Sequence, residues 1–447
     1  MSLFSVRFTL RPLCRLISRC DRVLIYALPF AVYVPRPPLI GGMNALAASL
    51  ALHLHPLDGE PLVAHLRIVD KFSMFPPTTH VLSDFLKLLK EREGAVEYRQ
   101  ANLTVASTVS KCFTDPAPNG QPYTHIFDLT GESTHDRPAE VQIAQTFSVS
   151  LLIGKEAAKH SIKAYVRSLS SYYDHDTEKK SYTEDDPDGW TPLGVRGTWW
   201  HESVRALASI PNLPLVVIRK AYVYGPGVPR GDVTTCILLG LVYKHLGEEM
   251  KFLWGPKLKK NTLYSQDAVR AGWMCSQWAA SMTRDQANAA AGVPIPPSGD
   301  KSVTSVPDVV APTETVIAPV FNLTDDGDTD QDLLGQVIAQ YFDIKSGFHG
   351  AITMQLAKLK FDDMVEEVNE LHTSKWTEII TQASPPVPST PLSPYAPRYQ
   401  LERRGCALNG QKLKEIVGYT PKYPRFSVET VKETIDSWKA EGIWPQT

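Results

Sequence analysis

The sequence predicts an α/β protein with a doubly wound parallel sheet and a smaller C-terminal domain for substrate. Three observations predict this class. Short apolar runs alternate with longer segments of helical periodicity from about residue 39 onwards. A glycine-containing turn at residues 40–44 leads into an Ala/Leu-rich segment. The apolar run at 215–218 ends in Arg219 and is followed by a Tyr-Gly-Pro turn at 224–226.

Each predicted element rests on its own local pattern. Short runs rich in apolar and β-branched residues predict strands at 66–70, 96–100, 126–129, 164–167 and 215–219. Apolar residues at helical spacing predict helices at 41–54, 81–89, 139–159 and 199–209. Later helices are expected at 331–342, 356–383 and 428–441. In the last of these, Val431, Ile435 and Trp438 share one stripe, which is typical of a helix packed on a core.

Composition and net charge argue against several classes of binding partner. The chain has 447 residues, of which 43% are hydrophobic and 21% are charged, with a formal net charge of -2. This length can bury a large core without disulfides or metals. The charge offers no basis for nucleic acid or an anionic membrane as the main partner. Six cysteines form no CxxC pair and twelve histidines form no ligand motif, so we expect no metal site and a reducing compartment such as the cytoplasm.

The predicted domains are an atypical N-terminal extension (1–38), a dinucleotide-binding domain (39–224) and a mostly substrate-binding domain (225–447). Residues 267–291 and 313–330 are expected to return to the dinucleotide-binding domain. The Pro-rich segments 292–312 and 384–396 are predicted to be loops, the second one mobile. The extension combines five arginines in residues 1–22 with an apolar run too short to span a membrane. A mitochondrial presequence and an artefact of the gene assignment both remain open.

The turn at 40–47 is the candidate phosphate-binding turn. Gly41 and Gly42 allow a tight turn, Asn44 tolerates positive φ, and Ala47 is small enough for close packing of helix on strand. The N-terminus of the following helix would present N–H groups to a pyrophosphate. An ordinary loop and helix start is the alternative reading of this stretch.

Asp70 supports the nucleotide interpretation. It ends a predicted strand 23 residues after Ala47, where an acid binds the adenosine ribose hydroxyls. A carboxylate there repels a 2′-phosphate, so NAD(H) is favoured, although the nearby Arg67 and Lys71 leave NADP(H) open. A solvated strand-end acid is the alternative for Asp70. Thr130 and Gly131 follow a later strand, where small residues let a cofactor pass close to the backbone.

This order of features resembles the extended short-chain dehydrogenases of the NAD-dependent epimerase/dehydratase superfamily. Gly41, Asn44 and Ala47 match its GxxGxxG turn in degenerate form, and Arg219 with residues 224–226 matches the end of a later strand. The resemblance implies a Rossmann-type fold, a nicotinamide cofactor and a catalytic Ser/Tyr/Lys set. It also implies cofactor contacts at Asn102 and Leu103, beside the adenine, and at Tyr222. In the catalytic set Tyr transfers a proton, Lys lowers its pKa and Ser orients the substrate oxygen.

The catalytic set is matched only in part. Ser168 corresponds to the family's serine at a strand end, and a turn or capping serine is the alternative. The helix that should carry Tyr and Lys four residues apart falls near 192–202, where no such pair occurs. Tyr173 and His201 are the local substitutes that we predict as catalytic groups. The alternative is that Trp199, Trp200 and His201 pack a helix on the sheet.

The C-terminal half resembles a branch of this family that contains iridoid synthase and progesterone-reducing enzymes. The residues that carry this resemblance are 409–414, Gly418, Tyr419, Phe426, 435–438 and 442–445, with the aromatic pair Trp199 and Trp200 upstream. The branch reduces enones by hydride transfer to carbon. Its catalytic Lys, expected near Ser171, and its Tyr are both absent here.

We therefore predict an NAD(P)-dependent oxidoreductase that transfers hydride to or from a small carbonyl or enone substrate. The alternatives are a catalytically silent NAD(P)-binding protein and a nucleotide-sugar epimerase or dehydratase. A small-molecule substrate is the expected partner, no membrane is required, and a homodimer is left open.

Overall fold

The computed structural model describes residues 22–27, 45–115, 120, 122–175, 181–351, 354–355 and 359–446, with the side chains of 22–27 and of Ala45 left aside. Its strands are β1 (Arg22–Ala27), β2 (His65–Asp70), β3 (Val96–Gln100), β4 (His125–Leu129), β5 (Ala164–Leu169), β6 (Leu215–Lys220), β7 (Tyr222–Tyr224), β8 (Met250–Phe252), β9 (Thr262–Tyr264), β10 (Gly292–Ile295), β11 (Val316–Leu323) and β12 (Ser346–Phe348).

Helices follow most of these strands. They are α1 (Ala45–Leu54), α2 (Ser83–Glu91), α3 (Ala106–Thr114), α4 (Ala139–Gln142), α5 (Val149–Ala157), α6 (Gly194–Ser209), α7 (Asp232–Leu246), α8 (Ser265–Ala280), α9 (Arg284–Ala291) and α10 (Gln331–Phe342). A π-helical stretch, Ile143–Ser148, joins α4 to α5. The C-terminal part of the chain adds the helices Phe361–Gln382, Arg398–Leu401, Gln411–Val417 and Val428–Ala440.

The main sheet has eight strands in the order β10-β11-β6-β5-β4-β1-β2-β3. Every adjacent pair is parallel except β10 with β11. The chain order reverses between β1 and β4. Open α/β sheets bind ligands at the carboxyl ends of their strands beside such a reversal.

The central strand β1 lies within residues 1–38, which the sequence analysis set apart as an extension. It pairs with β2 on one side and β4 on the other, as Ile25 lies opposite both Ile68 and Phe127. The segment RVLIYA is rich in apolar and β-branched residues, a composition typical of strands in parallel sheets. The strand β1 thus comes from before the Pro-rich stretch at 35–38, and residues 22–27 belong to the sheet.

Three apolar clusters stabilise the described part of the chain. One cluster packs α1, α2 and α8 against one face of the sheet, and a second packs α3, α5 and α6 against the other face. The third lies among α7, α10 and the helices Phe361–Gln382 and Val428–Ala440. In that last helix Val431, Ile435 and Trp438 are all buried, as their common stripe predicts.

The Pro-rich stretch 292–312 contains regular structure that the sequence analysis did not predict. Residues Gly292–Ile295 form the edge strand β10, a position at which the missing N–H of a proline is tolerated. The stretch also covers α6, because Arg205 donates hydrogen bonds to the carbonyl oxygens of Ile295 at 2.8 Å and Ala311 at 3.0 Å.

The second Pro-rich stretch, 384–396, has no helix or strand but is fixed at its end. The Asn369 side chain donates to the carbonyl of Ala396 at 2.8 Å and accepts from its N–H at 2.7 Å. Within the described residues, no helix is both long and apolar enough to cross a membrane. The same residues contain no group of three His, Cys, Asp or Glu side chains placed to hold a metal ion.

Candidate functional site

A cavity of about 540 Å³ opens at the carboxyl ends of β4, β5 and β6. Its volume lies within the range of small-molecule sites. Polar and aromatic side chains from several elements meet on its wall. They include Ser168, Arg196, Trp200, Lys220 and Tyr222.

Ser168 and Lys220 form the most reactive arrangement on this wall. Lys220 donates from Nζ to Oγ of Ser168 at 2.5 Å, and both side chains are more than nine-tenths buried. Burial, with a smaller contribution from the positive charge of Arg167, lowers the pKa of Lys220 from 10.5 to about 7. A lysine with this pKa can both give up and accept a proton near neutral pH.

Sequence reasoning found Ser168 but missed Lys220. Lys220 ends β6, whose residues are all buried and which is otherwise apolar apart from Arg219. The sequence signal that could have identified Lys220 is a lysine at the end of a buried strand, because buried lysines without a function are uncommon. The family pattern instead predicts the lysine on the helix that follows Ser168.

Tyr173 and His201 lie together, but they are not among the residues that line this cavity. The Tyr173 hydroxyl lies 3.3 Å from Nδ1 of His201, and Nε2 of His201 lies 2.7 Å from the carbonyl oxygen of Pro296. Burial lowers the pKa of His201 to about 4 and raises that of Tyr173. The imidazole is thus neutral, and both of its nitrogens have partners: Nδ1 contacts Tyr173, and Nε2 joins α6 to residues 292–312 through Pro296.

Gly131 and Trp200 contact each other at the cavity wall. Gly131 has φ +140°, and a Cβ built on it would lie 2.3 Å from the Trp200 ring. Nε1 of Trp200 donates to the carbonyl of Glu132 at 2.9 Å, which fixes the indole. The small residue predicted here for cofactor approach therefore accommodates the indole. The neighbouring Thr130 directs its hydroxyl to Asp128 at 2.6 Å, inside the protein.

The candidate adenosine end of the site lies at the ends of β2 and β3. Asp70 is fully buried, and its Oδ1 accepts from the N–H of Phe72 at 3.3 Å. Its Oδ2 has no hydrogen-bond partner among the described residues, and burial raises the pKa of this carboxyl to about 8. Ala47 and Leu103 are buried in the core. Asn102 is exposed and accepts from Thr104 at the start of α3.

The predicted phosphate turn, with Gly41, Gly42 and Asn44, lies outside the described residues. Tyr222, by contrast, is half-buried on the cavity wall, with Nζ of Lys260 at 5.4 Å from its ring centre. Of the predicted site residues, the structure therefore brings Ser168, Gly131 and Tyr222 to one cavity. Asp70 lies at the end of β2, two strands away from β4.

Solved structures similar to this chain share its fold at low sequence identity. The enzyme WbmG of Bordetella bronchiseptica, solved in complex with NAD and UDP, is 13% identical, with a TM-score of 0.56 over 95% of this chain and 97% of WbmG. Pal from Bacillus thuringiensis is 13% identical, with a TM-score of 0.56 over 94% of this chain and 99% of Pal.

A third similar structure is the UDP-glucose 4-epimerase of Thermotoga maritima, solved with UDP-glucose. It is 14% identical, with a TM-score of 0.53 over 94% of this chain and 99% of the epimerase. No family model matches the chain. No curated protein matches it either. The shared architecture confirms the predicted fold class, a doubly wound α/β sheet of the Rossmann type.

Proposed function

We propose that the chain is an NAD(P)-dependent enzyme of the extended short-chain dehydrogenase type, in which Ser168 and Lys220 handle the proton that accompanies hydride transfer. The proposed reaction is hydride transfer to or from a small carbonyl or enone substrate. The observation that carries this proposal is the 2.5 Å contact between Lys220 Nζ and Ser168 Oγ on the cavity wall. Enone reduction, which the nearer family resemblance implies, is one form of it.

Residues at the end of β2 fit a dinucleotide. Oδ2 of Asp70 is buried and has no hydrogen-bond partner among the described residues. Once ionised, the carboxylate could accept from two ribose hydroxyls. This favours NAD(H), and NADP(H) stays the alternative. A bound nicotinamide would supply or take the hydride, a two-electron step that no side chain of this chain performs.

The proton chemistry falls to this chain's own residues. The Ser168 hydroxyl can donate to a substrate oxygen that is negatively charged at the transition state. Lys220 can pass a proton to that oxygen through Ser168, or accept one in the reverse direction, because its pKa of about 7 lies near neutral pH. In this scheme Ser168 and Lys220 together take the roles of the Tyr and Lys that are absent from the helix. The lysine comes from β6, the strand next to the β5 strand of Ser168.

The test begins with cofactor binding. NADH and NADPH are titrated separately, with energy transfer from tryptophan to nicotinamide as the readout, against the wild type and Asp70→Ala. Turnover with a panel of carbonyls and enones then compares Lys220→Met, Ser168→Ala and the exposed control Lys111→Met. We expect NADH binding that weakens in Asp70→Ala, and turnover lost in the first two variants but kept in the control. Failure of both cofactors to bind would refute the proposal.

A nucleotide-sugar epimerase or dehydratase is the second candidate, because two of the similar structures contain UDP or UDP-glucose. An epimerase returns the hydride to the same substrate, so it shows no net change in NADH absorbance. Incubation with UDP-glucose and NAD, followed by separation of the sugar products, distinguishes it from a net oxidoreductase. A third reading, a silent dinucleotide-binding protein, requires that no substrate in either assay turns over.

A further inference from the structure

Arg196 is a buried cation on the wall of the same cavity. It lies in the first turn of α6, and only 5% of its surface is exposed. Its guanidinium carbon lies 4.0 Å from the ring centre of Tyr172 and 4.8 Å from that of Tyr399. The two aromatic rings hold the planar group in place, and both of them line the cavity as well.

The hydrogen bonds of Arg196 are incomplete. Nη1 donates to the carbonyl oxygen of Ser133 at 2.5 Å. Within the described parts of the chain, Nε is buried and has no hydrogen-bond acceptor. Asp232 attracts the guanidinium electrostatically but accepts no hydrogen bond from it among these residues. A buried N–H group without an acceptor is costly, and a ligand can supply the missing acceptor.

Other cations lie on the same cavity wall. Arg230 and Arg404 line it together with Arg196 and Lys220, whereas its carboxylates are Asp136 and Asp232. Burial raises the pKa of Asp232, while the positive charges of Lys260, Arg196 and Arg404 act against that shift. Arg404 is also paired with Glu402. An excess of positive charge in a cleft of low dielectric raises the local concentration of anions. The cavity therefore favours an anionic ligand over a neutral one.

We propose that the substrate carries a carboxylate or phosphate group, and that Arg196 binds this group while the reacting oxygen lies at Ser168 and Lys220. The placement of the reacting substrate oxygen at Ser168 and Lys220 rests on the proposed function. Guanidinium is suited to this task because its N–H groups match the spacing of carboxylate and phosphate oxygens. The sandwich between Tyr172 and Tyr399 keeps it oriented before the substrate arrives.

The experiment uses pairs of probes that differ in charge but have similar shape. Isobutyrate is compared with isobutyramide, and UDP with uridine, by calorimetric titration of the full-length protein with and without saturating NADH. We expect at least one anion to bind about tenfold or more tightly than its neutral counterpart. Preference for isobutyrate assigns a carboxylate substrate, and preference for UDP assigns a phosphate-bearing one.

Variants then connect this preference to Arg196. Arg196→Gln is expected to weaken binding of the preferred anion by about 10- to 100-fold and to leave its neutral counterpart within about twofold. Arg196→Lys is expected to restore part of the anion affinity, which a purely structural role would not produce. Arg425→Gln removes an exposed arginine elsewhere and serves as the control. Urea unfolding of each variant verifies that it is folded.

Two results would overturn the inference: equal affinity of wild type for the charged and neutral probes, or an anion preference that survives in Arg196→Gln. If Arg196→Gln does not fold, the anion affinity of Arg196→Lys and the preference of the wild type for charged over neutral probes still test the inference. The outcome is separable from that of the proposed function. Anion binding through Arg196 without any NADH binding would support the anion site and refute the proposed dehydrogenase. NADH binding without a preference for anions would support the cofactor site and refute the anion site.

Discussion

Ser168 and Lys220 meet because of the register between two parallel strands. Ser168 of β5 lies opposite Ile218 of β6, and Lys220 follows Ile218 by two residues. Side chains two apart on a strand point to the same face, so Lys220 is the diagonal neighbour of Ser168. Both positions are at the carboxyl ends of their strands, where the sheet opens into the cavity. The pairing therefore depends on the sheet and not on any local sequence motif.

Lys220 predicts the pH dependence of turnover. With its pKa near 7, the neutral amine that accepts a proton during oxidation predominates above pH 7, and the ammonium that donates one during reduction predominates below it. We expect kcat/KM for oxidation to rise, and that for reduction to fall, between pH 6 and 8. Lys220→Met should lower both by about 10²- to 10⁴-fold and remove this inflection. A Lys220→Met variant with the wild-type pH profile would exclude the lysine as the proton carrier.

The fold was more predictable from the sequence than the site. The strands at 96–100 and 126–129 show clear local patterns, and the structure places β3 and β4 there within one residue. β1 was missed because prolines at 35–38 interrupt the approach to the glycine turn, and the strand lies before them. Lys220 was missed for a different reason. Its contact with Ser168 crosses 52 residues of sequence and depends on strand register, which composition and spacing do not encode.

The surroundings of His201 depend on contacts that are remote in the sequence. In the sequence, His201 is a local group that can act as an acid near neutral pH, with packing of the helix as the alternative. In the structure, residues 292–312 cover α6, and this contact withdraws the imidazole from solvent. The segment that covers it was itself predicted to be a loop, so its effect on His201 could not be foreseen.

Asp70 predicts that cofactor affinity depends on pH. Its pKa is about 8, so the carboxyl is mostly protonated at neutral pH, and it must lose that proton to accept hydrogen bonds from two ribose hydroxyls. NADH affinity should therefore rise between pH 6 and 9, approaching about tenfold per pH unit below the pKa. Titrations at several pH values with Asp70→Asn should give weaker binding that no longer varies with pH. The exposed acid variant Asp58→Asn should behave as wild type, and a pH-independent wild type would contradict this role.

Gly131 and Trp200 predict a packing defect on substitution. In Gly131→Ala the new Cβ would lie 2.3 Å from the indole, at a φ of +140° that alanine rarely adopts. We expect the free energy of unfolding to fall by about 2–4 kcal/mol in urea titrations. Gly94→Ala is the matched control, because its φ of +84° is also positive but no atom lies near the new Cβ, and about 1 kcal/mol is expected. Adding Trp200→Leu should restore part of the loss in Gly131→Ala, and strict additivity of the two changes would contradict the contact.

The buried imidazole of His201 predicts a stability difference that changes with pH. Its pKa is about 4 in the folded protein against 6.5 when unfolded, so the unfolded chain takes up the proton first as the pH falls. The stability that neutral His201 contributes is therefore present above pH 6.5 and is lost as the pH falls from 6.5 towards 4. His201→Gln keeps a donor for the Pro296 carbonyl and an acceptor for the Tyr173 hydroxyl, but it does not titrate. Urea unfolding should show the variant less stable than wild type at pH 7, with this gap narrowing or reversing by pH 4.5. A gap that stays constant across this range would mean that His201 does not carry the shifted pKa on which its structural role rests.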